Sequence, residues 1–70
     1  MKLLIIVEQT DSGFSAYAPD LPGCIATGTT RENVEHTMRE AIEFHLEGLR
    51  ADGMAVPEPH AYATMVEVAA

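Results

Sequence analysis

The sequence predicts one α+β domain over residues 1–70, with elements in the order β-β-β-α-β. Three observations lead there. Two short apolar runs near the N-terminus flank the turn cluster Thr10-Asp11-Ser12-Gly13; they are too short for helices and are bounded as strands are. The stretch from Arg31 to Asp52 repeats apolar residues at helical period. The tail places Tyr62, Thr64, Val66 and Val68 on one side and Ala61, Ala63, Met65 and Glu67 on the other, at strand period.

The first strand runs from Leu3 to Gln9 and is apolar on both faces, Leu3, Ile5 and Val7 against Leu4 and Ile6, as expected of a strand inside a sheet. After Gly13, Phe14, Ala16 and Ala18 alternate with Ser15 and Tyr17, a second strand returning antiparallel through a hairpin. A third short strand, Cys24 to Thr27, ends at Gly28. The helix has two candidate starts: Thr29 with Glu32 as a capping box, or Thr30 capping with Asn33 in third place. Its apolar stripe is Val34, Met38, Ala41, Ile42, His45 and Leu49, and the opposite side carries Glu32, Glu35, Arg39, Glu40, Glu43, Glu47 and Arg50. Glu35 and Arg39 are spaced as an ion pair, and Gly53 is a left-handed stop. Pro57 and Pro59 force the following segment to cross as extended chain before the fourth strand.

A meander followed by a right-handed crossover places strand four parallel to strand one, giving the sheet order 3-2-1-4 with strand one internal. One helix covers one sheet face, so the other face or the edge of strand four is expected to support a homo-oligomer.

Composition narrows the function. Eleven acids against four bases give a net charge of -7, which disfavours a phosphate backbone as ligand and favours a basic protein partner. A single cysteine excludes an internal disulfide and a Cys-rich zinc site, and no stretch approaches a membrane span or a cleavable leader. A cytoplasmic location is expected. No phosphate-binding glycine loop, nucleophile elbow or C-x-x-C occurs, so no cofactor is expected.

Tyr17-x-Pro19-Asp20-Leu21-Pro22-Gly23-Cys24, then Thr27-Gly28-Thr29-Thr30 opening a helix, then Gly53 and Pro57-x-Pro59, resemble the N-terminal domain of the HicB-type antitoxins. The resemblance runs from Leu3 to about Pro59. It implies a partial ribonuclease-H-like β-β-β-α-β fold and a protein that binds and occludes a small basic ribonuclease toxin of the HicA type, which cleaves mRNA. Members usually continue into a DNA-binding domain; this chain stops at Ala70, so operator binding and direct nucleic-acid binding are not expected of it. Asn33 departs from the acid often found there.

Two further classes stand beside the antitoxin reading: an orphan oligomeric binding domain, and a degenerate metal-dependent nuclease using Glu8 and Glu67, the acids nearest each other if strands one and four are neighbours. The lone Cys24 lacks a neighbouring cation or histidine in sequence and reads as a small buried hydrophobe. His36 and His45 lie on opposite sides of the helix and cannot share a metal; His60 has no partner in sequence. No catalytic or metal-ligating residue is assigned. Pro19, Pro22, Gly23, Cys24, Gly28 and Thr30 are read as structural, with Pro22-Gly23 at the centre of a type II turn. Asp20 and Leu21 at the tip of that corner, with Glu40, Glu43 and Glu47 on the helix, are the candidate partner contacts.

Overall fold

Local sequence sets the ends of each element in the structure, a computed structural model that describes residues 1–70. Strand β1 spans Ile6–Thr10 and β2 spans Gly13–Tyr17. They pair antiparallel from Ile6↔Tyr17 to Thr10↔Gly13. Asp11 and Ser12 make the two-residue loop of a tight hairpin. Strand β3, Ile25–Gly28, pairs antiparallel with β2 from Phe14↔Gly28 to Tyr17↔Ile25.

Helix α1 spans Arg31–Ala51. Thr30 is its N-cap, its hydroxyl accepting from the Asn33 N–H at 3.0 Å, so the second of the two candidate starts is the one used. At the other end Gly53 takes φ 70°. Its N–H donates to the Arg50 carbonyl at 3.1 Å and the Met54 N–H to the Leu49 carbonyl at 2.8 Å, the paired bonds of a Schellman stop.

The helix lies on one face of the sheet. Val7, Ala16 and Ala26 form one cross-strand row, and two alanines there let α1 approach closely. The core is Ala16, Ala18, Leu21, Cys24, Val34, Met38 and Leu46, with Leu3, Ile5, Val7, Phe14, Ile42, Leu49 and Val56 packed around it. Its seven buried side chains are all non-aromatic, with Phe14 at the margin, and Tyr17 and Tyr62 both lie in contact with solvent. The tightest approach joins β3 to α1: a Cβ on Gly28 would sit 2.8 Å from the Val34 nitrogen and 2.9 Å from its Cα.

The predicted fourth strand does not form. The sheet has three strands in the order β1-β2-β3, not four in the order 3-2-1-4, and the architecture is β-β-β-α with an extended tail. β1 is therefore an edge strand. Leu3, Leu4 and Ile5 precede it without strand pairing and are half-buried. The physical reason lies in where the tail is held. The Ala61 N–H donates to the Asp20 carboxylate, at 3.2 and 3.3 Å to its two oxygens, at the corner between β2 and β3. That corner is on the far side of β1 from its open edge, about two strand spacings or ~10 Å away. From Tyr62 onward every residue is exposed. The radius of gyration is 14.0 Å, against about 11 Å for a compact domain of this length.

Candidate functional site

The corner from Ala18 to Cys24 is two successive β-turns. The Leu21 N–H donates to the Ala18 carbonyl at 3.0 Å, and the Cys24 N–H to the Leu21 carbonyl at 3.1 Å. Pro22 and Gly23 occupy the centre of the second, and φ 84° at Gly23 fits the type II turn anticipated from sequence. The double turn has a consequence the sequence did not show. Between two turns the chain folds back, so Leu21 points inward and is 1 % exposed. It anchors the corner in the core, and a partner cannot reach it. Asp20 is half-buried and engaged with Ala61, which makes it first a tie for the tail.

Cys24 is buried in the core, and this desolvation raises its thiol pKa above 9.0. No cation or imidazole offsets the burial, so the thiolate is disfavoured. The expected results follow from that. Iodoacetamide at neutral pH labels Cys24 only on unfolding, and Cys24→Ser costs about 1–3 kcal/mol for an inserted hydroxyl while partner binding is unchanged. The raised pKa also fixes a sign: folded and unfolded thiols are both protonated below about 9, so stability is flat there and falls as pH rises above it. A urea-midpoint series should show that decline in the parent and lose it in Cys24→Ala.

Glu40, Glu43 and Glu47 are exposed on the outer face of α1. Among them stands Phe44, 80 % exposed, one helical turn from Glu40 and from Glu47. Sequence reasoning left it out of the candidate surface; the signal was an aromatic outside the apolar stripe. An exposed aromatic ringed by carboxylates presents one apolar anchor inside an acidic field, suited to a basic surface with an apolar pocket. Beside this patch His36 Nε2 lies 3.4 Å from Glu40 Oε1, both side chains largely exposed, a pair of little weight. The spaced Glu35 and Arg39 do not form an ion pair.

Two other surfaces are uncovered. On the sheet face away from α1, Ile6, Tyr17 and Ile25 form one row across the three strands. Beside the start of β1, a cavity of about 440 Å³ is lined by Met1, Leu3, Ile5, Glu35, Arg39, Ile42, Glu43 and Leu46. Glu8 lies on β1 and Glu67 in the exposed tail, so the strand pairing that the nuclease reading needs is absent. No three metal-ligating side chains converge anywhere. No helix is long and apolar enough to cross a membrane.

Comparison with known proteins places these features. The profile of a family described as the HicB_like antitoxin of bacterial toxin-antitoxin system matches residues 3–69. A UPF0150 protein of Helicobacter pylori is 34 % identical over 55 residues, 79 % of this chain and 76 % of the relative. An uncharacterized 14.9 kDa protein of Haemophilus phage HP1 is 35 % identical over 54 residues, 77 % of this chain. The match spans 41 % of that phage protein. Among solved structures, a chain of a HicA3 and HicB3 toxin-antitoxin complex superposes with a TM-score of 0.66 at 31 % identity, covering 83 % of this chain and 72 % of that one.

Proposed function

The chain belongs to the HicB-like antitoxins of bacterial toxin-antitoxin systems, and from that premise we propose that it neutralises a small basic HicA-type ribonuclease by binding it and covering its RNA-cleaving site. The likeness to a chain of the HicA3 and HicB3 complex carries this reading, because at 31 % identity over 83 % of the chain it extends past the fold to the sequence. The chemistry agrees. A net charge of -7 steers a basic partner toward this protein, and the acidic outer face of α1 around Phe44 offers that partner a surface. Glu40, Glu43 and Glu47 are the contacts in this proposal, with Phe44 as the anchor and Asp20 at its margin. In this proposal the chain acts as a binder, needs no cofactor, works in the cytoplasm and self-associates.

Co-expression with the small basic protein encoded beside its gene tests this. The two proteins are expected to co-purify as a stoichiometric complex, and the chain added to the purified partner should stop its cleavage of RNA. A partner that stays active at saturating concentrations of the chain overturns the reading.

A further inference from the structure

The open edge of β1 and the exposed tail are complementary halves of one missing interaction. With the unpaired Leu3–Ile5 included, the edge offers eight residues from Leu3 to Thr10, about 26 Å of strand; the alternating tail segment 62–68 offers seven, about 23 Å. Beside the start of that edge lies the cavity lined by Leu3, Ile5, Ile42 and Leu46 on its apolar side and by Glu35, Arg39 and Glu43 on its charged side. The tail has the opposite need. Tyr62, Met65, Val66 and Val68 are 74 to 96 % exposed, an apolar, extended segment with one carboxylate and no strand partner. An edge and a strand left in this state invite pairing.

Within one chain the two do not pair: the Asp20 carboxylate holds Ala61 at the β2–β3 corner, and the tail beyond it is exposed along its length. We propose that residues 62–68 of one copy fill the lane beside β1 of a second copy, and that the exchange is reciprocal. Each chain supplies one lane and one strand, so a two-fold arrangement satisfies both and leaves neither over. Each sheet then has four strands, the fourth borrowed, with Val66 and Val68 or Ala63 and Met65 turned toward the cavity according to register. Strand addition also gives the exposed apolar side chains of the tail cover from a second copy, outside the core that each chain forms by itself.

The inference deepens the self-association in the proposed function, and its test uses the purified chain alone, so it stands or falls apart from toxin binding. Light scattering at tens of micromolar chain should give the dimer mass, and hydrogen exchange should show slowed amides both in 62–68 and in Leu3–Ile5. Val66→Pro removes one ladder donor from each lane; since the tail is exposed within the chain, circular dichroism of the helix should be unchanged, while the dimer dissociation constant rises at least ~100-fold. A monomeric parent overturns the proposal. So does a dimer that survives Val66→Pro with residues 62–68 exchanging freely, which would put the interface elsewhere, or protection of 62–68 that arises only when the toxin is added.

Discussion

Replacing Gly28 by alanine should remove about 2–3 kcal/mol of stability, enough to leave much of the protein unfolded in mild urea. The new Cβ would lie 2.6 Å from Asn33 Oδ1 and 2.8–2.9 Å from the Val34 backbone. Asn33 can swing aside; the Val34 main chain cannot, because Val34 is fully buried and its N–H is bonded to Thr30 at 3.0 Å. The end of β3 and the first turn of α1 must therefore separate, loosening the contact that seats the helix on the sheet. A 70-residue domain has roughly 3–10 kcal/mol in total. Gly48 is the internal control: it lies in the helix with nothing within 4 Å of an added Cβ, so Gly48→Ala should stabilise by about 0.5–1 kcal/mol. Urea melts followed by helix circular dichroism should shift in opposite directions for the two variants. Equal, small shifts would show that the β3–α1 contact is not tight.

The second large effect concerns the proposed toxin partner. Reversing Glu40, Glu43 and Glu47 to lysine takes the net charge from -7 to -1 and should slow association with the basic partner by about 10- to 10³-fold at low salt, with the difference shrinking as salt is added. Phe44→Ala should act on the other rate. A central aromatic anchor is worth about 2 kcal/mol or more when removed, seen as faster dissociation. All four side chains are exposed, so the melting temperature should move little, which separates lost binding from lost folding. Stopped-flow and surface-capture kinetics read the two rates. Unchanged association for the triple variant, together with unchanged dissociation for Phe44→Ala, would move the docking surface off this face of α1.

Much of the fold is legible in the sequence because its signals are local. Thr30 with Asn33, Gly53 after the helix, and Pro22-Gly23 in the corner each act through bonds closed within a few residues, and such bonds do not depend on the rest of the chain. Strand pairing is different. The alternation from Ala61 to Val68 describes the faces of a strand and says nothing about which strand lies beside it. The doubly apolar start of the segment Leu3 to Gln9 predicts an internal strand, whereas β1, Ile6–Thr10, is an edge with a cavity beside its start. The candidate site divides the same way. Glu40, Glu43 and Glu47 follow from helical period alone. Leu21 depended on how two turns combine, and the combination sends it into the core. Phe44 needed no long-range knowledge, only attention to an aromatic placed among acids.

The position of the two tyrosines decides what light can report about this molecule. Neither belongs to the core: Tyr17 stands on the uncovered sheet face, and Tyr62 begins the tail. With no indole in the chain, near-ultraviolet emission comes from Tyr17, 42 % exposed on the sheet, and Tyr62, 82 % exposed, so chain unfolding changes the surroundings of the first far more than those of the second. Whatever closes over the tail or the open face dims or shifts these rings. Tyr62 is thus a gauge of company alone, and Tyr17 of company and folding together.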